Sequence, residues 1–412
     1  MNEADIIAAA DAHLAKNYAW KNEFIPVKAN GCWMWDRKGM RFLDMVANYS
    51  VLNFGHNHPL IREAIDEQLD TGLVACPGFI ITEQKALLAK ELVEFCGMED
   101  AMAVFMVSGA EGVETAMKIA RKWAYVKKCV PRNKAEIIFC KNNFHGRTLG
   151  AISASTTPQY KDMFGPHLPG IKTIPFGNIQ ALKEAITKHT AAFFVEPVQA
   201  EGGVYVPPIG YLASVRELTL NSNVLLVCDE VQTGFGRTGT VFGCDHGYIK
   251  SDLIILGKAL GGGMPISAVV GRRDVMDVLS PGDHGSTFGG NPLACHVARR
   301  VLRLMNEVHP EINALTEGLY LKNRLTKMAC SFDFIKEVRG LGLLIGIEFQ
   351  ENCPTAAEAC EKIYCEGIIT KDVKERVLRI SPPLIISRGE VDWALHGMQR
   401  AFENIAAKGV KK

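Results

Sequence analysis

The sequence predicts an α/β protein with a large domain on a mostly parallel sheet and a smaller α+β domain. Short apolar, β-branched runs at 102–107, 136–140, 191–197, 224–228, 253–256 and 266–272 alternate with helical or glycine-rich segments. Runs of four to eight apolar residues between turn residues are typical of buried parallel strands. From about residue 300 the pattern changes to long helices and short strands. We therefore expect an N-terminal segment (1–46) packed on a C-terminal small domain (300–412), with a large domain at 47–299.

Composition narrows the possible partners and compartments. The chain has 412 residues, 48% of them hydrophobic and 22% charged, with a net charge of +1. This balance gives no electrostatic footprint for nucleic acid or a membrane surface, and no apolar run approaches the length of a bilayer span. The 12 cysteines include no C-x-x-C pair, and the acidic N-terminus does not resemble a secretory signal. We expect a cytoplasmic protein without structural zinc.

The first elements of the chain are a helix within residues 1–20 and short strands within 24–46. The next segment carries His56 and His58, and Pro59 begins an amphipathic helix. A metal site would need further ligands at suitable spacing, and none follows. We therefore expect both histidines to be structural.

The strand at 102–107 leads into Ser108, Gly109 and Ala110, and a helix is predicted at about 113–127. Small residues between a buried strand and a helix present free backbone N–H groups to an anion. With Ser108 as a hydroxyl donor, this loop is a plausible phosphate cradle. It is neither a Walker loop nor a G-x-G-x-x-G motif, which argues against a nicotinamide dehydrogenase.

The next two strands deliver polar side chains to their carboxyl ends. After 136–140 come Phe144, His145 and Arg147, and the strand at 191–197 delivers Glu196, followed by Glu201. Phe144 could stack on a planar ring and Arg147 could clamp a carboxylate. A packed aromatic and a surface arginine are equally compatible with the pattern.

The strand at 224–228 ends in Asp229, and the strand at 253–256 is followed by Lys258. Open α/β sheets bind ligands at the carboxyl ends of their strands. A desolvated lysine is a nucleophile toward carbonyls, and a nearby aspartate can hold a protonated pyridine nitrogen. These are the two protein groups that pyridoxal phosphate chemistry requires. Alone, Asp229 could cap a turn and Lys258 could lie on the surface.

The remaining elements complete the prediction. The glycine- and hydroxyl-rich segment 284–298 offers Ser286 and Thr287 as phosphate donors before a helix that starts at Pro292. A long helix pair (291–329), strands (334–349), a helix (355–366), an apolar run (377–386) and a terminal helix (389–407) then suggest the smaller domain.

Seven motifs resemble the class III pyridoxal-phosphate-dependent aminotransferases in order and spacing. They are SGAEGVETAMKIAR, FHGRT, FFVEPVQAEGGV, CDEVQTGFGRTG, LGKALGGGMPISAVVG, HGSTFGGNPLA and VRGLGLLIGIEF. The resemblance covers about residues 30–390 and implies the type I fold of these transferases. It further implies that Lys258 forms a Schiff base with the cofactor and then moves the proton, while Asp229 pairs with the pyridinium nitrogen.

The resemblance also implies the other cofactor contacts. Phe144 and Val231 would sandwich the ring, and Gln232 would bind its hydroxyl. Gly109 and Ala110, with Ser108, would hold the phosphate, and His145 and Glu196 belong to the same set. Ser286 and Thr287 would reach the phosphate of the other subunit, so the family pattern implies a homodimer with shared sites.

Within the class, the chain is most similar to the ornithine aminotransferases. The resemblance assigns Tyr49 to the substrate's amino end and Arg147 to the ornithine α-carboxylate. Arg379 would bind the α-carboxylate of 2-oxoglutarate, and Glu201 would mask Arg379 while ornithine is bound. Three departures are Ala200 for glycine, Phe288 for tyrosine, and KDVKE for Lys-Asp-Thr-His. Acetylornithine, 4-aminobutyrate, lysine and putrescine stay open as donors, as does racemisation.

Overall fold

The computed structural model describes residues 2–18, 24–351 and 354–409. Parts of the predicted N-terminal helix (1 and 19–20) and of the predicted C-terminal domain (352–353 and 410–412) lie outside the described residues. Within the described residues, none of the helices is long and apolar enough to cross a membrane. None of the described cysteines forms a disulfide.

The strands, in chain order, are β1 (Pro26–Asn30), β2 (Trp33–Asp36), β3 (Arg41–Asp44), β4 (Ala101–Met106), β5 (Glu136–Cys140), β6 (Ile171–Ile174), β7 (Thr190–Val195), β8 (Leu225–Asp229), β9 (Leu253–Leu256), β10 (Ser267–Arg272), β11 (Ile335–Leu341), β12 (Leu344–Phe349), β13 (Ile368–Ile369), β14 (Lys371–Lys374) and β15 (Val377–Ile380). The α-helices are α1 (Glu3–His13), α2 (Ala47–Ser50), α3 (Pro59–Asp70), α4 (Glu83–Phe95), α5 (Gly109–Val126), α6 (Leu149–Ser153), α7 (Pro158–Lys161), α8 (Ile179–Ala185), α9 (Tyr211–Asn221), α10 (Arg273–Met276), α11 (Pro292–Val308), α12 (Pro310–Ala329), α13 (Ala356–Cys365) and α14 (Arg388–Gly409). Two 3₁₀ turns cover Gly243–Gly247 and Lys258–Gly261.

A seven-stranded sheet forms the centre of the large domain, in the order β4-β10-β9-β8-β7-β5-β6. The strands from β9 to β6 are parallel, while β10 runs antiparallel to both β4 and β9. Every residue of β7, β8 and β9 is buried, as expected for parallel strands covered on both faces. The predicted mostly parallel sheet is confirmed, and its three central strands end side by side.

Two four-stranded sheets lie outside this centre. One has the order β1-β2-β3-β13 and therefore joins the N-terminal segment to the C-terminal part of the chain. The other has the order β11-β12-β15-β14. Its strand β15 carries Arg379, which pairs in register with Gly346 and Lys371. Of the apolar run predicted at 377–386, only residues 377–380 form a strand.

The buried side chains divide into separate cores. Two of them belong to the large domain, and β-strand residues from the central sheet contribute to both. A third core unites Leu43 and Met45 with α12, α13 and α14. The buried residues of α11 belong to the large-domain core on both sides of residue 300. A division between α11 and α12 thus matches the cores better than the predicted one within α11, and the domain bounds stay a prediction.

Helix α5 begins at Gly109, four residues earlier than the predicted start at about Val113. The reason is a capping box: the Ser108 hydroxyl accepts the Glu111 N–H, and the Glu111 carboxylate accepts the Ser108 N–H. This exchange satisfies two backbone donors that a helix start leaves free. The glycines of the predicted loop are therefore the first residues of the helix, so its positive end faces the carboxyl edge of the sheet.

Candidate active site

The carboxyl ends of β7, β8 and β9 meet at one cavity of about 150 Å³. Asp229 is the last residue of β8, and Lys258 follows β9 after a single glycine. Lys258 has a left-handed backbone with φ of 46°, an uncommon conformation for a residue with a side chain. The cavity is lined by Gly109, Ala110, Phe144, His145, Gly146, Glu196, Asp229, Val231, Gln232, Thr233 and Lys258. The predicted crevice thus brings together most of the residues that the sequence assigned to the cofactor.

A histidine lies directly behind the aspartate. The Nδ1 atom of His145 is 2.6 Å from Oδ2 of Asp229, and both side chains are buried. The other oxygen of Asp229 accepts the Val231 N–H at 3.1 Å. Burial lowers the pKa of His145, but the hydrogen bond and charge of Asp229 outweigh it and raise that pKa above its usual value. Hydrogen bonds to both of its oxygens hold the Asp229 carboxylate in one orientation.

Glu196 extends this buried group. Its Oε1 atom accepts the Phe144 N–H at 2.9 Å, and the residue is 7% exposed. Burial raises the pKa of Glu196 to about 8, with a further contribution from the nearby Asp229 charge. The hydrogen bond from Phe144 to Glu196 holds the segment that carries Phe144.

The lysine amine is held across the cavity. Nζ of Lys258 donates to Oε1 of Gln232 at 2.8 Å. Burial lowers the pKa of Lys258 to about 8, although the negative charge of Glu201 partly offsets the effect. A pKa near the ordinary working pH supplies the neutral amine that attacks a carbonyl. The predicted chemistry of Lys258 is therefore consistent with its surroundings.

The start of α5 lies at one end of the cavity, which Gly109 and Ala110 line. A Cβ atom on Gly109 would lie 2.8 Å from Cγ1 of Val231, and one on Gly146 would lie 2.4 Å from Cβ of Ala110. Only glycine fits at these positions, and the free backbone N–H groups of a helix start favour an anion. The Ser108 hydroxyl is engaged in the capping box and does not line the cavity. Its contact with a phosphate stays a prediction.

A second cluster near Lys258 is built around Arg379 and Glu201. Nη1 of Arg379 donates to Oε1 of Glu201 in a close ion pair. Arg379 is fully buried, and its Nε and Nη2 atoms have no partner among the described residues. Burial raises the pKa of Glu201, but the charges of Arg379 and Lys258 outweigh it and lower that pKa. Buried donors without a hydrogen-bond partner raise the free energy of the folded chain. A carboxylate that accepts from Nε and Nη2 of Arg379 would remove this cost.

Tyr49 completes the second cluster on a strained turn. Its ring centroid is 5.2 Å from Cζ of Arg379. Residues 47–50 all have positive φ, between 47° and 70°, which costs energy at each residue that is not glycine. Asp44 stabilises the turn because its Oδ1 atom accepts the N–H groups of Val46 and Ala47. The turn brings the ring of Tyr49 to Arg379.

Arg147 follows the cavity-lining residues Phe144, His145 and Gly146 in the chain and is exposed. Its Cζ atom is 3.5 Å from the ring centroid of Tyr160 and 5.7 Å from that of Phe144. In the described part of the chain, no hydrogen bond or ion pair engages its guanidinium. An exposed arginine with free N–H groups and a fixed plane can bind a carboxylate with two parallel hydrogen bonds.

The structure does not bring Ser286 and Thr287 to the cavity of their own chain. The segment 285–288 is largely exposed, with Phe288 at 61%. Its neighbour His284 is tied to α5 because its Nε2 atom lies 2.7 Å from Oγ1 of Thr115. The loop is thus held on the surface beside α5.

The two early histidines make contacts within the fold. Nε2 of His56 lies 2.8 Å from the Asp44 carboxylate, and His58 packs edge-on against Phe54. Among the described residues, no group of histidine, cysteine and carboxylate side chains could hold a metal ion.

Sequence reasoning missed a buried network beneath the site. Arg237 is fully buried and donates to the carbonyl oxygens of Leu343 and Pro382 and to Oδ1 of Asn53. Burial lowers its pKa to about 9. Glu230 is also fully buried, and its carboxylate accepts the N–H groups of Gly243 and Cys244. The partners of Arg237 are 106 to 184 residues away in the chain, so its local sequence gives no sign of them.

The chain belongs to the class-III aminotransferases, because the family model of that description matches residues 15–402. It is therefore a pyridoxal-phosphate-dependent transferase of fold type I. The cavity fits this cofactor: Lys258 and Asp229 face it, a helix start lies at one end, and the buried Nε2 atom of Gln232 is unpartnered among the described residues.

Individual relatives are similar over nearly the whole chain. The ornithine aminotransferase of Geobacillus sp. (strain WCH70) is 43% identical over 405 residues, covering 97% of this chain and 99% of the relative. That of Halalkalibacterium halodurans is 45% identical over 394 residues, covering 95% and 96%. The crystal structure of the ornithine aminotransferase from Toxoplasma gondii ME49 superposes with a TM-score of 0.96 at 38% identity, covering 99% of this chain and 96% of that one. An acetylornithine aminotransferase from Elizabethkingia anophelis superposes with a TM-score of 0.88 at 34% identity, covering 98% and 100%.

Proposed function

We propose that this enzyme transfers the δ-amino group of L-ornithine to 2-oxoglutarate, giving glutamate semialdehyde and glutamate in two alternating half-reactions. The observation that carries the proposal is the Arg379–Glu201 pair facing Lys258. A buried arginine that is masked by a movable carboxylate suits an enzyme that accepts a diamino acid in one half-reaction and a dicarboxylate in the other. The ornithine aminotransferases among the relatives support the same substrate pair.

In the first half-reaction, the exposed Arg147 binds the ornithine α-carboxylate and Tyr49 lines the amino end. This orientation directs the distal δ-amine toward Lys258. Glu201 meanwhile neutralises Arg379, so a carboxylate finds no free cation there. A partly buried ion pair of this kind discriminates between substrates by removing a binding site that the wrong substrate would use.

In the second half-reaction, Glu201 moves away and Arg379 binds the α-carboxylate of 2-oxoglutarate. The unpartnered Nε and Nη2 atoms of Arg379 are the donors available for this contact. Because they are already buried and oriented, little reorganisation opposes binding. Hydrogen bonds from Nε and Nη2 to the substrate carboxylate then offset the free energy that these unpaired donors cost the fold.

The chemistry is centred on Lys258. When bound, pyridoxal phosphate supplies the carbonyl that accepts the amino group and the ring that takes up electrons. Lys258 holds the proton that moves between the substrate carbon and the cofactor, and Asp229, fixed by His145, keeps the ring nitrogen protonated. Phe144 and Val231 enclose the ring.

The remaining cofactor contacts are proposals of the same kind. Gly109 and Ala110, with Ser108, bind the phosphate, Gln232 binds the ring hydroxyl, and Glu196 fixes the Phe144 segment. A cytoplasmic location agrees with the lack of disulfides among the described residues.

We test the proposal by following the visible absorption of the purified holoenzyme after mixing with L-ornithine alone. Loss of the band, with glutamate semialdehyde or its cyclised pyrroline as product, is the expected result. A stable band with ornithine that is lost with acetylornithine, 4-aminobutyrate, lysine or putrescine would assign a different donor. Acetylornithine is the specific alternative because a relative of that activity shares the fold. A product that keeps its amine would indicate racemisation.

We also propose a homodimer in which Ser286 and Thr287 complete the phosphate site of the other subunit. Two features support it: the exposed loop 285–288, which does not line its own cavity, and the nearby apolar surface with Phe79 and Ile81 at 88% and 86% exposure. Exposed apolar area of this kind marks an interface.

Mixed dimers test the shared site. A Lys258→Ala subunit paired with a Thr287→Val subunit has one intact site, whereas each parent homodimer has none. Recovery of activity on mixing after dissociation is expected. Full cofactor affinity in a monomer, measured by light scattering and titration, would contradict the proposal.

A further inference from the structure

The Arg147 segment is fixed on both sides, so only its side chain is free to move. On one side, His145 is bound to Asp229. On the other, Oγ1 of Thr148 donates to the Glu114 carboxylate at 2.6 Å, and the Gly150 N–H donates to the same oxygen at 3.1 Å. These contacts place the Cα atom of Arg147 but leave the direction of its guanidinium undetermined. A long exposed side chain loses considerable rotamer entropy when it is held in one orientation.

We propose that Tyr160 is the positioning residue that sets the orientation of Arg147 and thereby the affinity for the substrate carboxylate. This inference rests on the proposed role of Arg147 in ornithine binding. The guanidinium lies over the Tyr160 ring at 3.5 Å, and the same ring contacts Phe144 edge-on, with centroids 6.1 Å apart and planes at 83°. Tyr160 therefore links the carboxylate-binding arginine to the residue proposed to stack on the cofactor.

Stacking is a suitable way to hold this arginine. A carboxylate partner would occupy the N–H groups that the substrate needs, as Glu201 does for Arg379. An aromatic face instead contacts the guanidinium plane and leaves its edge, with all the N–H donors, available. The arrangement pre-orders the side chain without competing with the ligand.

The turn that carries Tyr160 is itself anchored. Nζ of Lys161 donates to the Ser153 carbonyl oxygen at 3.1 Å, which ties α7 to the end of α6. From the small domain, Nζ of Lys374 donates to Oγ1 of Thr157 at 3.2 Å. The ring position is thus determined by contacts on both sides of α7, and the small domain contributes one of them.

The test compares two amine donors that differ only in the carboxylate, L-ornithine and 1,4-diaminobutane. In Tyr160→Leu, we expect kcat/KM for ornithine to fall about 5- to 30-fold, through KM and with little change in kcat. The value for 1,4-diaminobutane should stay within about twofold, because it has no carboxylate for Arg147. Tyr160→Phe keeps the ring face and should restore near wild-type values.

Three further measurements separate orientation from general damage. Binding of pentanoate to the holoenzyme by calorimetry should weaken by the same factor, which is a readout independent of turnover. In an Arg147→Met background, Tyr160→Leu should have no further effect. Tyr320→Leu is the matched control, because Tyr320 also stacks under an arginine, Arg388 at 3.7 Å, but lies outside the cavity. It should leave the ratio of the two donors unchanged.

The inference is overturned if Tyr160→Leu affects both donors equally, if ornithine is unaffected, or if Tyr160→Phe is as damaging as Tyr160→Leu. It fails separately from the proposed function. If the wild-type enzyme does not react with ornithine, the substrate assignment is wrong, whereas an unchanged donor ratio in an ornithine-active enzyme rejects only the role of Tyr160.

Discussion

The two site arginines are held by opposite means. Arg379 is fully buried on β15 and paired with Glu201, whereas Arg147 is exposed on a loop and stacked on Tyr160. Burial strengthens the attraction between a cation and a carboxylate. A buried cation without a counter-charge, however, destabilises the fold. Exposure to solvent weakens the attraction between Arg147 and a carboxylate. It also allows an aromatic ring to hold the guanidinium plane while the N–H donors stay free. In the proposed function, Arg379 is therefore masked by Glu201 in one half-reaction, whereas Arg147 stays available in both.

The largest effect is expected from removing the buried arginine. Arg379→Leu should lower kcat/KM for 2-oxoglutarate roughly 100- to 1,000-fold, because a buried charged donor to the substrate is lost and Glu201 is left unpaired. The ornithine half-reaction should change far less. Stopped-flow absorption measures the ornithine and 2-oxoglutarate half-reactions separately. Arg379→Lys is the control, because it keeps the positive charge but not the paired N–H donors of the guanidinium. Equal losses in both halves would remove the assignment.

Removing Arg147 should have a smaller effect. It should slow the ornithine half-reaction, which Arg379→Leu is expected to change far less than the 2-oxoglutarate half-reaction. Arg147→Met should lower kcat/KM for ornithine about 30-fold, as expected for a charge-assisted hydrogen bond at a partly solvated site. The rate with 1,4-diaminobutane is the internal control and should be retained. If both donors slow by the same factor, Arg147 supports the fold of the site and does not bind the carboxylate.

The switch itself is tested by Glu201→Gln. The amide keeps the shape of the side chain but not its charge, so Arg379 stays available in both half-reactions. We expect the ratio of ornithine to glutamate kcat/KM to fall about tenfold. The measurement is a pair of half-reactions from the same preparation, and an unchanged ratio would exclude gating by charge.

Glu201→Gln should also change the pH dependence of cofactor capture by Lys258. The neutral amine of Lys258 captures the cofactor, so the capture rate in the apo-protein should rise with pH and level off above the lysine pKa of about 8. Glu201 raises that pKa, since a negative neighbour stabilises the ammonium form. In Glu201→Gln the pKa falls, and the midpoint of the capture curve should move to lower pH. A shift to higher pH would contradict this arrangement of charges.

Sequence determined the chemistry at the ends of the central strands. The runs before Asp229 and Lys258 are local patterns of buried residues, and parallel strands that end together bring such residues to one edge. The Lys258–Asp229 pair, and with it the cofactor, therefore followed from short-range information. The start of α5 was misplaced because the Ser108–Glu111 capping box was not considered, although that signal is also local.

Tertiary structure decided how the arginines are held. The Arg379–Glu201 pair joins residues 178 positions apart, and sequence assigned it through resemblance alone. The stack of Arg147 on Tyr160, the position of His145 behind Asp229 and the burial of Arg237 depend on how loops pack in three dimensions, which has no periodic signature in the sequence. Sequence by itself thus determined which candidate groups lie at the ends of the central strands, while tertiary packing decided that Arg379 meets a carboxylate and Arg147 an aromatic ring. The physical reason is that charge and hydrogen-bond energies depend on distance and burial, and only the folded chain sets these.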